Sequence, residues 1–323
     1  MENNKRIIFF GTPEFSSAQL ENIFHSGFDV AAVVTVPDKP AGRGKKLQQS
    51  DVKITATRLN IPVLQPEKLK DEAFIKELAA FNASVFVVIA FRMLPEIVWR
   101  MPKFGTFNLH ASMLPQYRGA APINRAIMNG ETQTGLTTFF LNANIDEGSI
   151  INQIPIEIGN NETAGELHDR MIELGKPLVI NTLNLLFEQS VRPVKQSIPV
   201  GELIKSAPKI FKQDCVINWN RPIIEIFNQV RGLSPYPAAV STFISSEKQQ
   251  LGLKIYEASI EAGHPNETIY SVLTDNKKYL KIALPDGYLK LTNVQQPGKR
   301  SMDIDEFLRG FQFVGEWYVS DHI

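Results

Sequence analysis

Short apolar runs that break off into helix-compatible stretches recur through the first half of this 323-residue chain. That rhythm limits the fold more than any other feature. Residues 7–10 (Ile-Ile-Phe-Phe) stop at Gly11-Thr12-Pro13, as a buried parallel strand stops before a helix. The pattern then predicts a helix over 14–26, closed by Gly27, and a β-branched strand over 30–36. A second helix is predicted over 67–80, the most apolar strand over 84–90, and another strand over 105–110. A helix over 120–129 and a late pair of strands over 134–141 and 149–156 complete the series. Strands alternating with helices argue a doubly wound α/β domain.

The texture changes further along. A long helix is expected over 163–189, with Pro177 inside it as a start or a kink. Proline at 193, 199 and 208 marks a loop-rich connection. After one short helix at 223–231, strands are predicted over 239–244, 254–260, 268–274, 279–283 and 288–294. Short strands at such close spacing suggest a small barrel. The chain is too long for one core, and the division expected is 1–190, a linker over 191–208, and 209–323.

Composition narrows the function classes. With 43% hydrophobic and 21% charged residues, the chain is an ordinary globular one and not disordered. A formal net charge of zero offers no global field for nucleic acid, so any such contact rests on local patches. Cys215 is the only cysteine, which excludes an internal disulfide and a thiolate-rich zinc site. The N-terminus has too short an apolar run for a signal peptide or membrane span, so a cytoplasmic protein with no membrane contact is expected.

The candidate chemistry lies at 104–122, where an apolar strand runs into a Pro/Gly-punctuated loop. Asn108 and His110 are two residues apart on that strand and therefore share a face. A carboxamide and a protonated imidazole are two hydrogen-bond donors suited to a developing oxyanion. The pair sits where a parallel sheet usually places ligands, at the carboxyl end of a strand.

Residues 112–119, Ser-Met-Leu-Pro-Gln-Tyr-Arg-Gly, resemble the Ser-Leu-Leu-Pro-x-Tyr/Trp-Arg-Gly signature of the folate-dependent formyltransferases. Asp146-Glu147-Gly148 is similar to that family's Asp-x-Gly. Gly11-Thr12-Pro13-Glu14-Phe15 and the run 37–46 resemble the methionyl-tRNA formyltransferase branch, and the likeness covers essentially the whole chain. Ala111, Met113 and the run Ala90-Phe91-Arg92 depart from the usual Gly, Leu and Ala-Tyr-Gly.

The resemblance implies a Rossmann-like formyltransferase domain followed by an OB-like domain. It implies Asn108, His110 and Asp146 as the catalytic triad and 10-formyltetrahydrofolate as co-substrate, with no metal. Folate contacts are implied at Phe91, Arg92, Met93, Leu94, Ser112, Met113, Leu114, Pro115 and Asn142. The acceptor implied is methionyl initiator tRNA, approached by the basic loop through Lys39, Arg43, Lys45 and Lys46. A monomer suffices for this chemistry. Asp146 would favour the charged form of His110 and relay protons between attacking amine and leaving nitrogen.

Other readings remain open at this level. A formyltransferase acting on a nucleotide-linked amino sugar would share the triad but has no reason to carry the basic loop. A hydrolase releasing formate needs the same site, and an RNA-binding protein on an inactive scaffold would not need the triad intact. A nicotinamide oxidoreductase is disfavoured, since no Gly-x-Gly-x-x-Gly follows the first strand. The absence of Gly-x-x-x-x-Gly-Lys-Ser/Thr disfavours ATP as a substrate.

Overall fold

The computed structural model describes residues 5–41, 46–198, 201 and 203–320. The first sheet holds β1 (Arg6–Gly11), β2 (Asp29–Val34), β3 (Val63–Leu64), β4 (Val85–Ile89), β5 (Thr106–His110), β6 (Gln133–Phe140) and β7 (Ile150–Glu157). Their spatial order is β7-β6-β5-β4-β1-β2-β3. The strands from β3 to β5 run parallel, while β6 and β7 form an antiparallel margin. Strands covered on both faces read as unbroken apolar runs, and every residue of β4 is buried. Strand order reverses between β1 and β4, and such a switch point is where open α/β sheets bind ligands. Gly11, Ile89 and His110 end the three strands around it.

Helices α1 (Glu14–His25), α2 (Asp51–Arg58), α3 (Glu72–Ala80), α4 (Glu96–Trp99), α5 (Pro122–Met128) and α6 (Ala164–Phe187) punctuate these strands. Gly11 lets α1 approach closely, because a Cβ there would lie 2.6 Å from Ser16 Cβ. Ser16 Oγ in turn donates to the Ile89 carbonyl at 2.6 Å, tying α1 to the end of β4. Helix α3 starts five residues later than its sequence pattern predicts. Asp71 Oδ1 accepts from the Ala73 and Phe74 amides and fixes the start there. Helix α6 runs unbroken through Pro177. Gln19 and Asn22 of α1 donate to its Ile172 and Lys176 carbonyls, in the turn before the proline.

The second sheet is antiparallel and nearly closed. It comprises β8 (Ala239–Ser245), β9 (Gln250–Glu261), β10 (Val272–Thr274), β11 (Leu280–Leu284), β12 (Gly287–Gln295), β13 (Met302–Asp303) and β14 (Trp317–Val319). The path is β10-β11-β12-β9-β8-β14, with β13 added to β12. A bridge between Tyr318 of β14 and Ser271 beside β10 returns the sheet to its start. Strand β8 alternates strictly between buried and half-buried residues, as one face of a barrel wall must. Helices α7 (Ile223–Leu233) and α8 (Ile304–Gly310) contribute Ile226, Val230, Phe307 and Leu308 to the same core as Phe243, Leu253 and Trp219.

Compactness does not follow chain order. Of the described residues, those within Met1–Gly119, Gln133–Glu157 and His168–Ser206 form one unit; Ala120–Thr132, Ile158–Leu167 and Ala207–Ile323 form the other. Two short pieces of the expected first domain thus pack with the barrel. Asn124 of α5 donates to the Gly232 carbonyl at 2.8 Å, and Arg231 donates to the carbonyls of Gly159 and Glu162. Conversely, most of the stretch read as a linker packs with the first sheet: Val194 and Ile150 exchange two backbone hydrogen bonds of 2.8 Å. Pairings between residues so far apart in the chain leave no local pattern to read. Among the described residues, no helix is long and apolar enough to cross a membrane.

Candidate active site

Strand β5 carries Asn108 and His110 on one face, in register with Phe139 and Thr137 of β6. His110 is buried, and its Nε2 lies 2.8 Å from the Tyr117 carbonyl oxygen. A carbonyl only accepts, so Nε2 carries the hydrogen and the neutral ring keeps its lone pair on Nδ1. Nδ1 is the nitrogen on the side of Asp146, 3.7 Å from Oδ2. His110 therefore donates from Nδ1 only once that atom is protonated. The ring edge-packs on Phe139, which limits its rotation.

Asp146 lies beyond β6, with a left-handed φ of +55°. Its Oδ2 accepts the Gly119 backbone N–H at 2.9 Å, which orients the carboxylate toward the histidine. Gly148 lets the loop lie flat on β6, because a Cβ there would fall 1.6 Å from the Phe140 carbonyl oxygen. Asn108 Oδ1 is enclosed and has no partner among the described residues. An enclosed amide oxygen with no partner is rare in folded proteins and calls for a hydrogen-bond donor.

The loop after β5 is fastened from below. Thr137 Oγ1 donates to the Ser112 carbonyl at 2.6 Å and accepts the Leu114 amide at 3.2 Å. Gln153 donates to Thr137 Oγ1 and to the Leu114 carbonyl. Ser112 is fully buried, its hydroxyl spent on the Gln116 carbonyl at 2.6 Å, and Leu114 is buried too. Both side chains build the loop, and the Ser112 carbonyl and both Leu114 peptide groups are spent on fastening it. Met113 packs on Gly135 beside the half-buried Pro115.

At the end of the neighbouring strand, Ala90 takes a φ of +45° as the chain leaves β4. Phe91 packs on Phe10, Leu94 is buried, and Met93 is exposed. Arg92 reaches over Phe91 and donates to the carbonyls of Pro66 and Glu67, which leaves its Nε enclosed and unpartnered. Asn142 is exposed, and its side chain accepts the Asn144 amide in a tight turn.

Of the basic loop, Lys39 is exposed on a short strand, Lys39–Ala41, paired with Lys46–Gln48. Arg43 and Lys45 lie outside the described residues, as does the side chain of Lys46. The base of this hairpin is anchored by Asp38. Hydrogen bonds from Lys53, at 2.6 Å, and from Gln65 hold its carboxyl below the usual carboxylate range. In the barrel, residues 277–300 carry six basic side chains, and two of them are paired: Lys281 with Glu261 at 2.8 Å, and Arg300 with Glu306.

A profile described as formyl transferase matches residues 5–183, and one for the formyl transferase C-terminal domain matches 209–312. The chain belongs to the formyl transferase family. A methionyl-tRNA formyltransferase of Bacteroides thetaiotaomicron is 48% identical over 95% of this chain and 96% of its own. One of Flavobacterium johnsoniae is also 48% identical, over 96% of this chain and 98% of its own. Among solved structures, WlaRD, described as a sugar 3N-formyl transferase, aligns with a TM-score of 0.64 at 20% identity. It covers 92% of this chain and 99% of its own, and that likeness carries the fold.

Within this formyl transferase, several contributors to the site were invisible to sequence reasoning. Tyr117 contributes through its carbonyl, Gly119 through its N–H, and Thr137 and Gln153 each bond loop backbone. Gln196 donates to the carbonyls of Asp146 and Gly148, and its Oε1 accepts from Arg118. Arg118 also pairs with Glu147 at 2.9 Å. The signature itself contains Tyr117, Arg118 and Gly119, which was the one available signal.

Proposed function

We propose that this formyl transferase moves the formyl group of 10-formyltetrahydrofolate to the α-amino group of methionyl initiator tRNA. The product, N-formylmethionyl-tRNA, serves translation initiation. The observation that carries the reading is the meeting of His110 and Asp146 at the carboxyl end of β5, beside Asn108, whose amide oxygen has no partner among the described residues. The names of the full-length relatives favour charged tRNA over a sugar acceptor. A bound folate would lie against Asn108, whose enclosed amide oxygen has no partner among the described residues, with the 91–94 and 112–115 loops as walls.

The folate supplies an activated formyl carbon when bound. Attack by the neutral amine builds negative charge on the formyl oxygen, and the chain's task is to meet that charge. Asn108 donates through its amide, and His110 donates from Nδ1 in its protonated form. The Tyr117 carbonyl holds the ring in place through Nε2, so the proton in play sits at Nδ1, next to Asp146. Asp146 is placed to take the proton shed by the attacking amine, directly or through water, and to return it to the folate nitrogen as the bond from that nitrogen to the formyl carbon breaks. No side-chain nucleophile is required. Lys39, Arg43, Lys45 and Lys46 would track the phosphates of the tRNA acceptor end.

Acceptor choice is the decisive test. The purified enzyme with 10-formyltetrahydrofolate should formylate methionyl initiator tRNA and leave a nucleotide-linked amino sugar unreacted. Transfer to the sugar, or free formate alone, would overturn the tRNA reading.

A further inference from the structure

We propose that Gln196 is a positioning residue that holds the Asp146 carboxylate against His110. The inference rests on the formyl-transfer reading above and extends it to a residue in a stretch the sequence presents as linker. One carboxamide serves two sides of the site. Its Nε2 donates to the Asp146 carbonyl at 2.8 Å and the Gly148 carbonyl at 2.9 Å. Its Oε1 accepts Arg118 Nη2 at 2.7 Å and Nε at 3.1 Å. Arg118 closes the frame by pairing with Glu147, and the next residue, Gly119, donates its N–H to Asp146 Oδ2. Gln196 thus holds both the backbone that bears the carboxylate and the Arg118 side chain next to the Gly119 peptide that orients it.

The Asp146 backbone needs such a hold. Its φ of +55° is a conformation that a non-glycine residue keeps only where its surroundings impose it. Gln196 is itself placed firmly, two residues beyond the Val194–Ile150 backbone pair. The residue type is also constrained. A carboxylate would turn an oxygen toward two carbonyl oxygens, a cation would offer Arg118 no acceptor, and asparagine is about 1.5 Å too short.

The test compares Gln196→Met, Gln196→Glu, Asp146→Asn and the Gln196→Met/Asp146→Asn pair in the full-length enzyme. Single-turnover formylation of methionyl initiator tRNA, KM for both substrates and thermal melting are measured for each. Gln196→Met keeps the side-chain volume and removes every hydrogen bond. Both Gln196 variants should lose roughly 10- to 100-fold in turnover, the scale of a displacement of about 1 Å at a catalytic group. KM for both substrates should stay within about twofold, the signature of a residue that acts through Asp146 and not on a substrate. In the Asp146→Asn background, Gln196→Met should cost little more, since both changes act through one carboxylate. Normal turnover in folded Gln196→Met, or a full additional loss in the double variant, overturns the proposal. Normal turnover in Asp146→Asn overturns the role of the carboxylate itself, and the Gln196 proposal with it.

Discussion

Gly148→Ala should disable the enzyme while leaving it folded. An ideal Cβ at this position lies 1.6 Å from the Phe140 carbonyl oxygen and 2.7 Å from its carbon. Contacts under 3.0 Å essentially never occur for a real Cβ, so the two backbones must separate by about 1.4 Å. Neither is the end of a flexible side chain. Phe140 is fixed in β6, and its N–H bonds the Ser149 carbonyl at 2.9 Å. The loop that gives way is therefore the one bearing Asp146, two residues earlier. A shift of about 1 Å at a catalytic group costs about 100-fold in rate, whereas overpacking costs about 1–3 kcal/mol of stability. The assay is formylation of methionyl initiator tRNA, with melting followed by circular dichroism. Gly252→Ala is the control, because nothing lies within 4 Å of a Cβ there. Turnover within threefold of wild type in folded Gly148→Ala, about 0.7 kcal/mol or less, would refute the reasoning.

Three further outcomes are expected. Asn108→Ala and His110→Ala should each lower turnover by roughly two to three orders of magnitude with the fold intact, as loss of an oxyanion donor does; near-normal rates in either would remove that residue from the triad. Replacing Lys39, Arg43, Lys45 and Lys46 singly by alanine should weaken tRNA use and flatten its dependence on salt, each by about one phosphate contact; an unchanged slope at all four returns the loop to an ordinary solvated surface. Burial, with Asp214 nearby, pushes the Cys215 thiol up, and its Sγ lies 3.5 Å from the Phe211 carbonyl. Iodoacetamide at mildly alkaline pH should therefore label native Cys215 at least roughly tenfold more slowly than the denatured chain. The sign follows from the raised value: thiolate forms less readily in the folded state, so stability from this group falls as pH rises through it. Equal labelling rates would contradict that burial.

Periodicity in the sequence carries much of the first sheet, because strands buried on both faces must be continuous apolar runs. Residues 7–10 and 84–90 read that way and became β1 and β4. Helix α2 escaped notice because its run Val-Lys-Ile-Thr-Ala-Thr is rich in β-branched residues; the Ser50 cap and burial of Val52, Thr55 and Ala56 decide it instead. Strand β14 is only three residues long, and its pairing with β8 is set some seventy residues away. At the site, a polar pair spaced for one strand face was legible, and the signature added Asp146. The scaffold around them was not: Tyr117 and Gly119 act through backbone atoms that any residue would present. Gln196 comes from a stretch whose prolines and polar residues look like linker, and only its pairing at Ile150 brings it to Asp146.

The central claim is that the grouping of Asn108, His110 and Asp146 performs formyl transfer to an aminoacyl acceptor. Its most direct test is the amount of formyl-methionine released from tRNA after one turnover, with wild type and Asn108→Ala side by side. The account predicts stoichiometric formyl-methionine from charged initiator tRNA with the wild type, none from uncharged tRNA, and a rate at least 100-fold lower in the variant. No formyl-methionine with the wild type, or equal rates in the two proteins, would contradict it.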